Sequence, residues 1–338
     1  MSAQQEFETD IVVIGAGPVG LFAVFEAGML NMKCHVVDTL DFIGGQCTAL
    51  YPEKPIYDIP AYPQITGADL ITKLEEQIKP FGAEFHLDNQ VVKFAKEGDD
   101  FLVATSQNKL IKAKAIIIAA GCGAFGPNRP PLENLEAYEA RGSVKYLVNK
   151  ISDYKDKNVV IAGGGDSAID WVLSLSGVAS KVYLVHRRAK FRAAPNSVEK
   201  LNILAEKGEV ELVVPYQLAG LNGEQGKLQE VVVKDLDGNS KALEADYLLP
   251  FYGLSMELGP IANWGLNIDK KHIAVDPATM ATNLDGVYAI GDIADYAGKL
   301  KLILTGFSEA AFAAHQAYKK VFPDKPLHFE YSTTKGVS

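Results

Sequence analysis

The chain has 338 residues, 48% hydrophobic and 22% charged, with a net charge of -9. That length suggests about two domains of a soluble globular protein, and an acidic balance with no basic tail excludes a nonspecific nucleic-acid binder. No apolar run approaches the roughly 18 residues of a membrane span; the polar start MSAQQEFET is unlike a signal peptide, and three cysteines (Cys34, Cys47, Cys122) suit a reducing cytoplasm better than a disulfide scaffold.

In chain order, the short apolar run Asp10–Ile14 reads as a buried parallel strand, and a helix follows to about Met29. Cys34–Val37 is a second strand ending at Asp38. Residues 39–66, rich in Gly, Pro and Tyr, read as an irregular loop, and Ala68–Phe81 as a helix with Leu70, Ile71, Leu74 and Ile78 on one side. Phe85–Ile111 alternates around the turn EGDD and predicts an antiparallel meander. Lys114–Ala120 is a further buried strand, and Gly121–Pro131 a linker in which glycine and proline erase any period. A second strand–glycine–helix unit opens at Val159, with strands Val159–Ala162, Lys181–Val185 and Val210–Val214 and a meander near 228–251. The segment GVYAIGD at 286–292 then returns to the first unit, and Thr305–Val321 is a helix before a polar tail. The expected fold is α/β: two Rossmann-like, three-layer dinucleotide-binding domains, one inserted into the other. Residues 1–124 and 252–338 form the outer domain and 125–251 the inserted one.

Two glycine loops carry the chemistry. In Gly15-Ala16-Gly17-Pro18-Val19-Gly20, Gly15 permits the tight turn, Gly17 admits a pyrophosphate close to the backbone and Gly20 lets helix and strand pack. The free N–H groups of the helix start face the phosphates, and Asp38 can accept hydrogen bonds from ribose hydroxyls. The second loop, Gly163-Gly164-Gly165-Asp166-Ser167-Ala168, has alanine in the third glycine position and is followed after the next strand by Arg187-Arg188 and Arg192 rather than an acid. Guanidinium groups bind a 2′-phosphate that a carboxylate would repel, so this unit should prefer NADPH to NADH. The Gly291-Asp292 pair ends a short strand and brings backbone and carboxylate to a third point.

These three pieces in this order resemble the two-dinucleotide-domain flavoprotein reductases over nearly the whole chain. The resemblance implies FAD on the first loop, NADPH in the inserted domain, Asp38 on the adenosine ribose and Asp292 on the ribityl chain. One branch of these reductases carries a Cys-x4-Cys disulfide after a Gly-Gly pair, but the position five beyond Cys47 is Pro52. Another carries Cys-x-x-Cys just before its second glycine loop, but GSVKYLVNKISDYKDKN has no cysteine. Cys47 is therefore expected to be a small buried residue rather than a redox centre.

With no disulfide, with ALYPEKPIYD after the Gly-Gly pair and a tail reading HFEYSTTKG, the chain is similar to the bacterial thioredoxin-reductase-like ferredoxin–NADP reductases. That resemblance implies electron transfer between NADPH and ferredoxin or flavodoxin, by hydride transfer to flavin N5 and two one-electron steps, in a homodimer. It places Tyr51 on one face of the isoalloxazine and Tyr331, from the partner subunit, on the other. Gly45, Gln46, Val91, Phe125 and Thr333 would also contact FAD; Gly163, Gly165, Asp166, Ser167, Arg187, Arg188 and Arg192 would hold NADPH. No general acid or base is expected, and His86, His272, His315 and His328 show no metal spacing along the chain. The competing readings are an NADPH-dependent flavin reductase, a thioredoxin-type disulfide reductase with an external partner, and a non-catalytic redox-sensing protein that binds both cofactors.

Overall fold

The computed structural model describes residues 4–327 and 336, with the backbone alone at 124–125 and 254–255. The chain divides into two compact units, residues 1–125 with 256–338 and residues 126–255. The sequence placed these boundaries at 124/125 and 251/252.

The first unit is built on β1 (Gln5–Ile14), α1 (Pro18–Met29) and β2 (Cys34–Val37). A short helix α2 (Gln46–Leu50) and the paired two-residue strands β3 (Pro55–Ile56) and β4 (Ile65–Thr66) follow, so the stretch expected to be irregular carries structure of its own. Then come α3 (Gly67–Ile78), β5 (Glu84–His86), β6 (Val91–Glu97), β7 (Asp100–Thr105) and β8 (Lys109–Ile118). The sheet runs β5-β2-β1-β8-β7-β6. The expected meander therefore needs correcting at both ends. β5 is a parallel edge strand on β2, and β8 absorbs the separate strand expected at 114–120. β8 is long enough to serve two partners on one edge: Leu110–Ala113 pairs antiparallel with β7, and Ile116–Ile118 pairs in parallel with the returning strand.

Alternation along β1 separates two cores, as the two-residue period of a strand requires. Ile11 and Val13 pack beneath the helices with Leu21, Leu70 and Leu74. Val12 and Ile14 face Val103, Ile111 and Ile261 on the other side. α3 begins with Thr66 as its cap, the hydroxyl accepting from the Asp69 amide at 3.1 Å, which supplies one of the unpaired N–H groups of a helix start.

The chain leaves this unit through β9 (Ala124–Pro127). The second unit contains α4 (Leu135–Arg141), β10 (Asn158–Ala162), α5 (Asp166–Leu175), β11 (Lys181–Val185), α6 (Pro195–Glu206) and β12 (Val210–Val213). A three-stranded antiparallel sheet, β13 (Gln217–Glu224), β14 (Lys227–Lys234) and β15 (Ser240–Glu244), precedes β16 (Tyr247–Pro250). β16 is no part of that meander; it closes the parallel sheet β12-β11-β10-β16. Backbone at the two ends of the insertion meets where the Asn128 amide donates to the Gly253 carbonyl at 3.0 Å.

The chain returns through β17 (Leu254–Glu257). It then forms a small separate sheet of β18 (Ile268–Asp269), β19 (His272–Ala274) and β21 (Ala294–Asp295), while β20 (Val287–Ala289) joins the large sheet by pairing with β8. The last helix, α7 (Ile303–Val321), buries Gly306, Ala310, Ala313, Ala314 and Ala317 against the unit. Gly306 is required by close approach: a Cβ there would lie 2.4 Å from Val19 Cγ2.

Candidate active site

At the carboxyl ends of β1, β2 and β8 lies a cavity of about 240 Å³, the position where open α/β sheets bind ligands. Of the residues expected on the first dinucleotide, Gly15, Gly17, Pro18, Asp38, Gly45, Gln46, Tyr51, Val91 and Asp292 line it. Gly20 does not. Its role is packing, since a Cβ there would sit 2.0 Å from the Gly15 carbonyl oxygen. Gly15 has φ +115° and lies so close to β8 that a Cβ would come within 2.3 Å of the Ala119 oxygen. A Cβ on Gly17, in contrast, would meet nothing within 4 Å. The strand–loop–helix geometry thus clears a cradle at the amino end of α1. That end has Pro18 in its first turn and no acidic side chain to repel phosphate.

Asp38 is tied to the glycine loop. Its Oδ2 accepts from the Ala16 amide at 2.6 Å and its Oδ1 from the Leu40 amide at 2.8 Å. Burial pushes this carboxyl upward, against the pull of the amides of Ala16, Leu40 and Thr39. Beside it, Asn89 is 1% exposed. Its Oδ1 accepts from Ser106 Oγ at 3.2 Å and from the Gln107 amide at 3.3 Å, while its Nδ2 has no partner. A buried donor without an acceptor is uncommon and costly. In a cavity wall it suits a ligand oxygen or ring nitrogen. The cleared cradle at Gly17 and this orphaned donor are the features that fit a dinucleotide.

Tyr51, Cys47, Gln46, Cys122 and Asp292 converge at the other end. The Cys47 thiol donates to the Tyr51 hydroxyl across 3.6 Å. Burial pushes Cys47 up to about 11 and raises Tyr51 and Cys122 as well, with Asp292 adding to each by its charge. All three cysteines are free thiols, and Cys34 and Cys47 are buried. Gly291 takes φ +73°, and its amide donates to Glu309 Oε2 at 2.7 Å. Glu309, 2% exposed on α7, also accepts from the Tyr296 hydroxyl at 2.7 Å and pairs with the equally buried Lys299. The Gly291 amide's bond to Glu309 ties the Gly291–Asp292 turn to α7, and Lys299 and Tyr296 hold the carboxylate in place. The amino end of α7 borders the cavity through Leu302 and Ile303, with no acid in its first turn, and Lys301 lines the same edge.

In the second unit the Gly163 amide donates to Val185 at 3.0 Å, which sets the glycine loop beside the end of β11. Arg187 and Arg188 follow that strand and are exposed. Arg192 is brought to the loop directly: it bridges Gly165, and its amide donates to the Gly164 carbonyl at 2.7 Å. Gly165 caps α5, and Asp166 and Ser167 open it, both exposed. Asp166 Oδ1 accepts from the Ala194 amide at 2.8 Å, so this acid ties down the basic loop. Ala168 is accommodated tightly, its Cβ 2.9 Å from where a Gly163 Cβ would stand.

Phe125 lies in β9, but its side chain is outside the description; Tyr331 and Thr333 fall outside the described residues. The sequence reading missed Asn89, Lys299, Lys301 and Glu309. A signal existed for Glu309, an acid four residues before Ala313 and eight before Ala317 on the alanine face of α7. None existed for Asn89, whose partners lie 17 and 18 residues away.

Residues 9–317 match the family model "Pyridine nucleotide-disulphide oxidoreductase". Ferredoxin–NADP reductases of Rickettsia felis and Rickettsia canadensis are each 60% identical to the chain, over 97% of it and 97% of their own length. The thioredoxin reductase of Lactococcus lactis superimposes with a TM-score of 0.79 at 26% identity, covering 93% of this chain and 99% of that one. Among the described residues no helix is long and apolar enough to cross a membrane.

Proposed function

The chain belongs to the pyridine nucleotide–disulphide oxidoreductases and, within them, to the ferredoxin–NADP reductases of thioredoxin-reductase build, and from that premise we propose that it is an FAD-dependent ferredoxin–NADP reductase. One observation carries the reading: two glycine cradles in one chain, the first backed by Asp38 and the second flanked by Arg187, Arg188 and Arg192.

In this reading FAD is held by the first cradle and NADPH by the second. Bound there, FAD supplies the hydride acceptance and one-electron release that connect NADPH to ferredoxin. The protein's own part is placement and field. Gly15, Gly17 and Pro18 present the α1 amides to the pyrophosphate, and Asp38 and Asn89 receive the adenosine half. Val91 packs beside them, as do Gly45 and Gln46 near the turn. Tyr51 supplies an aromatic face at the redox end, and Asp292, set by the Glu309–Lys299 pair, accepts from the ribityl hydroxyls. The amino end of α7 and the Lys301 ammonium make that edge positive, which favours negative charge on the group bound there. Gly165 clears space for the second pyrophosphate at α5, Gly163 lets the loop pass close to the Phe251 carbonyl, Asp166 and Ser167 stand in the helix's first turn, and the arginines take the 2′-phosphate. In this reading electrons leave without a protein disulfide, which is supported by the three cysteines standing as free thiols with Cys47 buried. Tyr331 on the second flavin face and contacts from Phe125 and Thr333 belong to this proposal, as do a homodimer and a cytoplasmic location. Ferredoxin is the proposed partner, with flavodoxin as an alternative acceptor of the same kind.

The deciding experiment is anaerobic. The FAD-loaded protein is reduced with NADPH, and either ferredoxin or oxidised thioredoxin is added while flavin absorbance is followed. Reoxidation by ferredoxin alone is expected. Reoxidation by thioredoxin alone would overturn the disulfide-free route.

A further inference from the structure

Outside the lining of the dinucleotide cavity, the edge of the first sheet gathers two histidines and a glutamate. β2 and β5 pair in parallel with His35 opposite Glu84 and Val37 opposite His86. His35 Nδ1 lies 3.0 Å from His86 Nε2, and the Glu84 carboxylate lies 3.5 Å from His35 Nε2 and 3.9 Å from His86 Nε2. One ligand atom from each residue falls within 4.8 Å of the others. We propose that His35, Glu84 and His86 form a binding site for a divalent first-row transition-metal ion of the zinc and cobalt kind, with water completing the shell.

The donor set and spacing favour this ion class. Two imidazoles and a carboxylate are zinc-type ligands, whereas magnesium and calcium take oxygen shells. Metal–ligand bonds of roughly 2.0–2.1 Å in a tetrahedral shell set ligand atoms about 3.3 Å apart. The distances here, 3.0 Å between the imidazole nitrogens and 3.9 Å to the carboxylate, straddle that value. The edge of Phe7 packs against both rings, with centroids 5.7 Å from His35 and 4.9 Å from His86, which holds their planes. Access comes from the solvent side, where the Glu84 side chain is 50% exposed.

Lys109 is the competitor. Its Nζ lies 3.1 Å from His86 Nδ1. An ammonium only donates, so Nδ1 accepts, and the neutral His86 ring carries its proton on Nε2, facing His35 Nδ1. An ion on His86 Nε2 requires that proton to shift to Nδ1 and the ammonium to swing aside. Lys109 therefore weakens the site, and removing its charge should strengthen it.

The test is a Co(II) titration of the flavin-loaded protein, read in the cobalt d–d bands at wavelengths beyond flavin absorption, then competed with Zn(II) and with Mg(II). Saturable binding of one Co(II) per chain is expected, displaced by Zn(II) and not by Mg(II). His86→Gln should abolish it. Outer-shell partners of a metal are worth about 10–100-fold in affinity, so losing the ligand in Glu84→Gln should weaken binding by at least roughly tenfold. Lys109→Met should tighten it. Glu84 and Lys109 reach solvent, so these two variants keep the test decisive if His86→Gln fails to fold. NADPH oxidation by Glu84→Gln should match wild type. Absence of saturable bands, or unchanged affinity in Glu84→Gln, would overturn the site. No tightening in Lys109→Met would remove the His86 Nε2 ligation on which it rests.

Discussion

Asn89 has its carboxamide oxygen taken twice by protein donors and its nitrogen left bare in a cavity wall. A buried donor without a partner costs on the order of 1–3 kcal/mol, and a ligand acceptor would recover it. Asn89→Leu should therefore lower FAD affinity by about tenfold or more, since about 1.4 kcal/mol corresponds to one decade. Asn89→Asp, which adds an anion beside Asp38, should be worse. Flavin fluorescence titration checks both, and unaltered affinity in the pair would end the role given to Asn89. Cys47 tests the opposite idea, that a residue beside the redox end does no chemistry. Burial raises its thiol to about 11, so at neutral pH it is protonated and should resist iodoacetamide in the folded protein. The unfolded thiol titrates near 9. The proton is thus lost sooner from the unfolded chain, and stability should fall as pH rises from about 9 through about 11. Cys47→Ser should lessen this alkaline loss and leave NADPH oxidation nearly intact. Ready alkylation at pH 7, found by mass spectrometry, or lost turnover with FAD still bound, would count against both statements.

The first glycine loop holds two glycines that a mutation should separate by cause. Gly20 exists for packing of α1 against the loop, because a Cβ would fall 2.0 Å from a backbone oxygen that cannot move aside. Gly17 exists for space that the protein itself leaves open. Gly20→Ala should cost several kcal/mol, the range of severe steric overlap in a core, about 1–3 or more, and yield little folded protein. Gly17→Ala should fold with nearly wild-type thermal stability in its FAD-free form and bind FAD far more weakly. Calorimetry of the FAD-free proteins together with flavin titration distinguishes them; equal melting losses would refute the division. This is also where sequence was most legible. The elements flanking each loop are short apolar runs with glycine stops: β2 and β11 match expectation at both ends, α1 ends at Met29 as expected, and α7 starts two residues early. The stretch 39–66 was less legible because α2 is only five residues long. Its cap, Gly45, has φ +55° and no side chain to signal a start. β5 and β16 each sit next in sequence to an antiparallel ribbon, and alternation cannot tell which strand will hydrogen-bond to them.

At the scale of the whole chain, the insertion was readable because GVYAIGD, opening at Gly286, repeats the pattern of a buried parallel strand 166 residues after the first unit's last expected strand ends at Ala120. What stayed hidden depends on contacts between distant segments: His35 with His86, 51 residues apart, and Asn89 with its orphaned nitrogen. The pair of units also carries the last prediction, on cofactor choice. Asp38 closes the first loop with a carboxylate, whereas the second is flanked by Arg187, Arg188 and Arg192 without an acid at the end of β11. Charge-assisted bonds to a phosphate are worth about 1.5–3 kcal/mol each. Both arginines are exposed and share one phosphate, so together they are worth about one such bond, and Arg187→Ala with Arg188→Ala should raise KM for NADPH by about 10- to 100-fold at most modest cost in kcat. KM for NADH should change little, because NADH has no 2′-phosphate to lose. The flavin content of the variant should equal that of wild type, since FAD is assigned to the other unit. Added salt should raise the wild-type KM for NADPH and barely move that of the double variant, because exposed charge pairs are screened. Equal effects on NADPH and NADH would show that the arginines support the fold of the second unit rather than read the phosphate.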